Sequence, residues 1–597
     1  MKKVISILLV FAFVAFIGLP SQTVASSKKI ASGDTLIVNA SGALSLDQVI
    51  NSDTLNGSQA HKAYKLVTLD TTYIFLGPSF IKSSVTIIGV LGKDGRPPCV
   101  QPGVLQDGSL SLYGFELTGN NSTVLFKNLY LTGRAVNNTI SQLTANGAGD
   151  MIRITGEHIK CIVDRVVFDD FPSNMISYIG NYTKLVVTNC RFRNAIQGQQ
   201  AWSGEAVRNE NNGAITDSVI MKYNTMFCMN SYALGTVTAH PVSYMDFSHN
   251  NVIGTFKNPT FVYWATDMVM NNNIFYSVWD GASNMTEYTG LWDQMRSQSR
   301  GSNCDFDTLG VSFVGEWSPA DTVGIGTKTY SWSAEAKRKI TVKNNLNYWP
   351  KVVTDFWKAW DDTAHADTVV TPVWMDTRTT GMFADKTHWP GLVESGNITT
   401  VDPQFGSSID SIYYNNVGNG VGLFQYFANI RRNSIQSDIY GYHLETVSGS
   451  NWIPAWPLPE SKDMKYSNAA IKTGSTDGKP IGDYTWFTGP VEINYSTIDA
   501  VAKTSNQLPE KFALENAYPN PFNPTTKIKF SLAKTGNVSL KVYNVMGQLV
   551  KTLLNNEYQN AGTYEFNVNM NSFASGIYFY TLMQGNQQIT KKMVLMK

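Results

Sequence analysis

The chain has 597 residues, a formal net charge of +1 and 16% charged residues, against about 25% in an ordinary soluble domain. Its 14 Trp, 28 Tyr and 29 Phe exclude disorder over most of the length, because such side chains need a core. The balanced charge and the absence of a long basic run argue against a nucleic-acid partner. The length is too great for one compact domain and corresponds to roughly four domain equivalents, unless the chain forms a single elongated repeat domain with accessory parts.

Residues 1–25 are predicted to form a secretory signal peptide. Lys2 and Lys3 precede a short apolar stretch at 4–18, and Thr23-Val24-Ala25 offers a small-residue cleavage site. A membrane anchor is the alternative, but the stretch is shorter than the ~20 residues that a span needs. No transmembrane segment is therefore expected after signal removal. The five cysteines show no zinc-ligand spacing, and their odd number leaves at least one outside any intramolecular disulfide.

A short pattern centred on a polar residue, usually asparagine, recurs between about residues 80 and 350. Apolar side chains stand three places after each centre, and mostly two and four places before it. Because side chains alternate between the faces of a strand, this change of parity predicts a bend at the centre, with both arms facing one interior. Asparagine tolerates the left-handed backbone angles of such a bend. The predicted centres are Asn128, Arg165, Asn189, Asn224, Asn250 and Asn272.

These bends, with the segments Val85–Gly89 and Asp402–Phe405, resemble the right-handed parallel β-helix of the pectin-lyase-like superfamily over roughly residues 35–490. The predicted fold class is all-β. A parallel β-helix is expected at 26–500, with long insertions at 276–339 and 351–400. A short helix at 44–50 is expected to cover the open end of the first rung. The resemblance implies no single activity, because the superfamily holds lyases, hydrolases, esterases and non-catalytic adhesins.

From residue 512 onward, six alternating strands separated by turn signals predict a small immunoglobulin-like β-sandwich, after a linker at 501–511. The segments YPNPF at 518–522, VYNVMG at 542–547, GIY at 576–578 and KKMV at 591–594 resemble the type A C-terminal sorting domain of type IX secretion, over 512–597. The resemblance implies the type IX secretion machinery as a partner. It also implies a location outside a Gram-negative bacterium or on its outer-membrane surface. An ordinary carbohydrate-binding module is the alternative.

The densest group of acidic and basic residues spans neighbouring predicted rungs. If the chain is a polysaccharide lyase, the resemblance implies Ca²⁺ held by carboxylates, with Arg or Lys as the base that removes a sugar proton. Calcium is therefore the expected metal. Its candidate ligands are Asp164, Asp169 and Asp170, and the candidate catalytic bases are Arg191, Arg193 and Lys222.

Position relative to the bends predicts how these side chains point. Arg191 stands two places after its bend and should face outward. Asp169 and Arg193 stand four places after theirs and should stack on adjacent rungs, about 4.8 Å apart. Lys222 has the parity of the inward-facing column. Surface ion pairs without catalytic function are the alternative for this group.

Candidate substrate-binding residues lie in two large predicted insertions between strands, at 195–216 and at 276–339. Glu205 and Arg208 belong to the first, and Trp279 and Trp292 to the second. Nine of the 14 Trp lie between residues 279 and 389, and flat rings can stack on sugars. Burial inside the insertions is the alternative for these Trp, and a loop salt bridge is the alternative for Glu205 and Arg208. His240 and His249 can serve as acid or base, or simply as structural residues.

The sequence thus favours a secreted, monomeric protein that acts on acidic polysaccharide by β-elimination, as a lyase rather than a glycoside hydrolase. No motif matches a particular lyase or hydrolase family residue by residue, so whether the chain is an enzyme stays open. The alternative is a non-catalytic surface protein that binds glycans or mediates adhesion.

Overall fold

The computed structural model describes residues 35–495 and 511–596, with gaps inside both ranges. The predicted signal peptide, Trp279, Trp292, His240 and nearly all of the predicted linker lie outside the described residues. The gaps are at 112, 136, 138–148, 172, 196–203, 211–215, 237–241, 256–258, 263–264, 279–309, 315–335, 337, 365–372, 376, 411–453, 534–535 and 560–561.

Two long sheets of stacked strands dominate the described part of residues 35–495. One joins eighteen strands and the other joins nine, and neighbouring strands in both sheets run parallel, as in the pairing of Lys160–Asp169 with Thr183–Thr188. The chain leaves one sheet, crosses to the other and returns one strand further along. This architecture agrees with the predicted all-β class. A two-stranded antiparallel ribbon, Thr54–Leu55 with Ser58–Gln59, stands apart.

The larger sheet has two arms, one on each side of the bend. Its strands are Thr35–Val38, Ala63–Leu66, Tyr73–Phe75, Val85–Gly89, Cys99–Pro102, Thr123–Thr132, Lys160–Asp169, Thr183–Thr188, Arg191–Ala195, Thr216–Lys222, Thr225–Met229, Val242–Ser248, Asn251–Thr255, Ala265–Asn271, Ile274–Tyr276, Lys339–Lys343, Leu346–Tyr348 and Leu392–Ser395. The smaller sheet contains Ser79–Ile81, Phe115–Leu117, Asp150–Ile154, Asn174–Tyr178, Glu205–Asn209, Leu234–Thr236, Thr260–Val262, Gly310–Val314 and Val373–Met375.

The predicted bends are present in the larger sheet. Asn128, Arg165, Asn189 and Asn272 have φ values of 55°, 56°, 55° and 61°, which is the left-handed region that the parity change required. The side chains of both arms pack into one interior, where, for example, Phe168 and Phe192 stack with ring centroids 4.8 Å apart. The parity argument therefore located the bend in these rungs.

Two predicted bend positions are wrong by one residue. The left-handed residues are Tyr223 and His249, with φ of 60° and 56°, rather than Asn224 and Asn250. Two places before these true bends stand Met221 and Phe247, which are fully buried. The position two places before the bend is thus apolar in these strands too. The predicted inward parity of Lys222 is wrong, because Lys222 lies one place before the bend and its side chain faces outward.

Asn224 and Asn250, which the sequence placed at the bend, belong to a ladder of buried amides just after it. Asn250 accepts hydrogen bonds at Oδ1 from the Asn224 main-chain N–H at 3.1 Å and side-chain amide at 3.0 Å. Its own Nδ2 donates to Met221 O at 2.9 Å and to Asn273 Oδ1 at 3.1 Å. The ladder continues through Asn345 to Asn397. It satisfies main-chain groups that a bent, buried backbone would otherwise leave unpaired.

Replacing Asn250 by alanine is expected to lower the free energy of unfolding by about 2–4 kcal/mol, because several buried donors and acceptors lose their partner. Asn397, at the solvent-facing end of the ladder, is the matched control, and its alanine variant is expected to cost about 1 kcal/mol. Chemical denaturation of both variants measures the difference. Equal losses would show that the ladder adds nothing specific to the interior.

The first rung is closed by the helix Leu46–Ser52, whose Leu46 and Ile50 side chains join the interior core. Gln48 Oε1 accepts from the Ser45 N–H at 3.1 Å and so fixes the helix start. The predicted capping helix is confirmed, two residues later than expected. Within the described residues, no helix is long and apolar enough to cross a membrane.

The predicted insertions contain further rungs. Gly310–Val314 pairs in parallel with Thr260–Val262 and with Val373–Met375, and Leu392–Ser395 joins the larger sheet. Helices Lys351–Ala364 and Thr377–Ala384 lie between these strands. The described part of the predicted insertion at 351–400 thus contains two helices and two strands.

Residues 454–495 form what we call the covering segment, which lies on the outside of the larger sheet. It contains 3₁₀ helices at Pro459–Lys462 and Ala469–Ile471 and a short helix at Thr485–Thr488. The short helix Ser407–Asp410 precedes it. The covering segment contacts both early and late strands of the larger sheet. Leu458 packs on Tyr130, and Gly474 O accepts from Asn344 Nδ2 at 2.7 Å. Near the end of the segment, Tyr495 donates to Asp164.

The C-terminal module consists of two antiparallel sheets around its own core. All six predicted strands are confirmed. The three-stranded sheet contains Ala513–Leu514, Thr525–Leu532 and Gly562–Asn569, and the four-stranded sheet contains Gly536–Asn544, Leu549–Gln559, Gly576–Gln584 and Gln587–Leu595.

Candidate functional site

The covering segment occupies the face on which the sequence placed the catalytic bases. Arg191 faces outward, as predicted, but its guanidinium lies 2.8 Å from Asp483 Oδ2 and donates to Thr485 Oγ1 at 2.7 Å. The same group lies 4.2 Å from the ring centroid of Trp486. These contacts attach the segment to the sheet, so Arg191 acts as an anchor in this structure.

Arg193 and Asp169 stack on adjacent rungs, as predicted. Their Nη1 and Oδ2 atoms are 3.2 Å apart, and Glu460 of the covering segment lies 3.3 Å from Arg193 Nε. The Arg193 side chain is fully buried between these two carboxylates, which fits a structural ion pair. Lys222, the third predicted base, has its Nζ 3.1 Å from Asp246 Oδ2.

The predicted calcium ligands do not converge. Asp164 accepts from Asn189 at 2.7 Å and from Tyr495 OH at 2.6 Å, whereas Asp169 bonds Asn194 at 2.8 Å and Asp170 bonds Arg134 at 2.7 Å. No group of three or more Asp, Glu, His or Cys side chains suited to a metal occurs in the described part of the chain. These residues therefore do not fit a calcium site, which needs several oxygens around one point.

His249 is also held by the covering segment. Its ring nitrogens lie 3.3 Å from Gly482 O and 3.3 Å from Asp477 Oδ2, and Tyr484 packs edge-on against its ring. Burial lowers the pKa of His249, although the Asp477 charge acts in the opposite direction. This environment fits a structural role at the bend.

A second group of charged residues lies on the smaller sheet, and we call it the Asp150 cluster. Asp150, Asn174 and Glu205 begin three successive strands and are in register with one another. Three residues further along the same strands stand Arg153, Ser177 and Arg208, also in register. The full cluster comprises Asp150, Arg153, Asn174, Glu205, Arg208 and Glu210.

One amide joins two carboxylates at the centre of the Asp150 cluster. Asn174 Nδ2 donates to Asp150 Oδ1 at 3.1 Å and to Glu210 Oε1 at 2.6 Å. Glu205, the predicted binding residue, forms an ion pair with Arg208 at 3.2 Å, and Arg153 Nε lies 3.7 Å from Asp150 Oδ2. The structure thus places two further carboxylates, those of Asp150 and Glu210, in one cluster with the predicted pair Glu205 and Arg208.

The two carboxylates bridged by Asn174 have different surroundings. Burial, and then the Glu210 charge, raise the pKa of Asp150 to about 7, while hydrogen bonds and the Arg153 charge act in the opposite direction. Asp150 is 1% exposed and Glu210 is partly exposed. One carboxyl group that keeps its proton near neutral pH beside another carboxylate is an arrangement suited to acid–base chemistry.

The Asp150 cluster has one buried acceptor without a described partner and two partly exposed guanidinium groups. Asn174 Oδ1 is buried and accepts no hydrogen bond from any described residue, so a donor from solvent or substrate suits it. The Arg153 and Arg208 side chains are 27% and 18% exposed, which leaves them accessible to an anion. The sequence did not reveal Asp150, Asn174 and Glu210, whose only signal is a polar residue at or beside the ends of successive short strands.

Residues 516–596 match the protein family described as the secretion system C-terminal sorting domain. No curated protein and no solved structure matches the chain. The family match confirms the predicted sorting domain and the secretion machinery as a partner, and it indicates export by the type IX system to the cell surface or the extracellular space. It covers the C-terminal module alone, and a sorting signal does not define the activity of its cargo.

Proposed function

We propose that this exported protein is a right-handed parallel β-helix enzyme that hydrolyses an acidic polysaccharide in the Asp150 cluster. The observation that carries the proposal is the Asn174 amide shared by Asp150 and Glu210. Cleavage of a glycosidic bond by hydrolysis generally uses two such carboxyl groups, one protonated and one ionised. The different surroundings of Asp150 and Glu210 support that division of roles.

In the proposed reaction, Asp150 donates its proton to the glycosidic oxygen as the bond from that oxygen to the anomeric carbon breaks. Glu210, as the carboxylate, activates a water molecule whose oxygen forms the new bond to the anomeric carbon, or attacks that carbon first and is released by water. The departing sugar keeps the proton from Asp150, and the water that forms the new bond gives one proton to the carboxylate that acts as base, which restores the proton lost from the pair. Asn174 holds both carboxyl groups in position.

The preference for an acidic polymer is supported by Arg153 and Arg208, which are partly exposed beside the two carboxylates. Guanidinium groups bind carboxylates through paired, charge-assisted hydrogen bonds. The outer face of the larger sheet, in contrast, is covered by residues 454–495. The proposed active site therefore lies at the Asp150 cluster and not at Arg191 and Arg193, the bases predicted from the sequence.

β-Elimination is the second candidate, and the same arginines favour it. A lyase must neutralise the carboxylate of a uronic acid before a base can remove the adjacent proton, and Arg153 or Arg208 can supply that positive charge. The two reactions differ in their products, since elimination leaves an unsaturated sugar that absorbs ultraviolet light, whereas hydrolysis adds water and does not.

The mature protein, tested on pectate, alginate and glycosaminoglycans, is expected to release reducing ends without ultraviolet absorbance. Asp150→Asn keeps the shape but cannot donate a proton, so kcat is expected to fall by roughly 10²–10⁴-fold. Glu492→Gln is the matched control, because this exposed carboxylate pairs with Arg165 on the covering segment side, and its kcat should stay at the wild-type level.

Three outcomes would contradict the proposal. Ultraviolet absorbance that rises with the reducing ends would identify a lyase. Binding of a glycan without turnover would identify a surface binding or adhesion protein. Full activity of Asp150→Asn would place the active site elsewhere in the chain.

A further inference from the structure

The four-stranded sheet of the C-terminal module has two faces of different character. Val542, Tyr580 and Met593 point into the core of the module. The residues that alternate with them, among them Tyr543 and Phe579, are only partly buried and do not belong to that core. Because side chains of a strand alternate, the second set lies on the outside of the sheet.

Apolar side chains run across this outer face from strand to strand. Leu549 lies opposite Tyr543, and Tyr543 lies opposite Phe579. Ile577, two residues before Phe579, lies opposite Val594. The row continues onto the turn at Val545 and Met546. We call this set the apolar face, and its members are Tyr543, Val545, Met546, Leu549, Ile577, Phe579 and Val594.

The apolar face is exposed over much of its area. Met546 is 74% exposed and Ile577 is 42% exposed, and Leu549 and Val545 are exposed as well. Within the described residues, the core of the module lies on the opposite side of the sheet. Adjacent apolar side chains left in water mark a surface that binds a partner.

The charge around the apolar face is positive. Residues 516–596, which match the sorting-domain family, contain seven Lys, two Glu and neither Asp nor Arg, a net charge of +5. Lys592 lies opposite Phe579, and Lys541 stands two places before Tyr543 on the same face. A partner surface that complements this arrangement is apolar at its centre and acidic at its rim.

We propose that the apolar face is the surface through which a component of the secretion machinery recognises this protein. A sorting domain must present its signal on the outside of a folded module, and this face combines exposed apolar area with a basic border. It also contains residues from three of the four segments by which the sequence resembled sorting domains, at 542–547, 576–578 and 591–594. The inference does not depend on the activity of the preceding domain.

The test uses the full chain, expressed in a Gram-negative host that has the type IX system. Ile577→Lys and Met546→Lys place a charge in the apolar face and are each expected to reduce the exported fraction about tenfold. Met583→Lys is the matched control. Met583 lies on the same strand and face and is 40% exposed, but its neighbours are Ser539 and Gln588. Export of this variant should equal that of the wild type.

Thermal unfolding of each purified variant separates recognition from folding. Met546 lies in a turn, so its replacement should leave the melting temperature unchanged even if Ile577→Lys destabilises the module. Normal export of the Met546 and Ile577 variants would overturn the proposal. Equal loss of export in all three variants would also overturn it, because recognition would then not be confined to this face.

Discussion

Arg193→Ala is expected to lower the free energy of unfolding of the mature protein by about 3–5 kcal/mol. The Arg193 side chain is 1% exposed and lies 3.2 Å from Asp169 and 3.3 Å from Glu460. Its removal leaves two buried carboxylates without this cation, and neither can move into water without disturbing the sheet or the covering segment. Chemical denaturation measures the loss.

Arg96→Ala provides the comparison. Arg96 pairs with Asp94 at 3.6 Å, with side-chain exposures of 32% and 56%, and exposed pairs contribute at most about 1 kcal/mol. The two variants therefore remove the same side chain from a buried pair and from an exposed one. A large loss of turnover in Arg193→Ala with unchanged unfolding would support the catalytic role predicted from the sequence, and would contradict the anchoring role.

Asp150→Asn is expected to change how stability depends on pH. In the folded protein, burial and Glu210 raise the pKa of Asp150 to about 7, whereas an unfolded aspartate titrates near 4. Between these values the folded chain keeps a proton that the unfolded chain has lost. The contribution of Asp150 to the free energy of unfolding therefore falls as the pH rises from about 4 to 7, by roughly 3–4 kcal/mol.

The asparagine variant has no such proton and lacks this contribution, so its stability relative to the wild type should rise over that range and be higher above pH 7. Denaturation at several pH values tests this difference. Asp107→Asn, at an exposed turn where hydrogen bonds from Ser109 lower the carboxyl pKa, should keep the wild-type profile. A wild type that gains stability between pH 4 and 7 relative to Asp150→Asn would show that Asp150 is ionised when folded.

Taken together, the Asp150 predictions connect stability with the proposed activity. A carboxyl group held neutral by burial costs folding free energy at neutral pH, and such a cost is common where a group is positioned for catalysis. A variant that is both more stable and inactive is therefore the expected result for Asp150→Asn.

Local patterns in the sequence determined most of the strand architecture. Parity on each side of Asn128, Arg165 and Asn189 located the bends, because alternation along a strand depends only on neighbouring residues. The same alternation located all six strands of the C-terminal module. Where two polar residues stood side by side, as at Tyr223 and Asn224, the pattern did not show which one adopts the left-handed angles, and the register was one residue wrong.

Tertiary structure decided which partners the charged residues have. Asp169 and Arg193 were correctly placed on adjacent rungs, but the pairing of Arg191 with Asp483 joins parts of the chain nearly 300 residues apart. No local pattern contains that information, because an arginine on an outer face has the same spacing whether solvent, substrate or another segment covers it. Two of the predicted bases, Arg191 and Arg193, therefore form ion pairs with the covering segment in this structure.

The candidate site was predicted in part for the same reason. Glu205 and Arg208 are close in sequence, and a salt bridge between them was expected in a loop, whereas the structure places the pair on one strand. Asp150 and Asn174 come together because successive strands begin in register, and Glu210, which follows the end of the next strand, reaches the same amide through its side chain. Loops of unequal length separate the three residues in sequence. The pKa of Asp150 depends on its burial and on its proximity to Glu210, both of which arise only on folding. The sequence by itself therefore determined the strands and bends, and packing determined which charged groups meet between them.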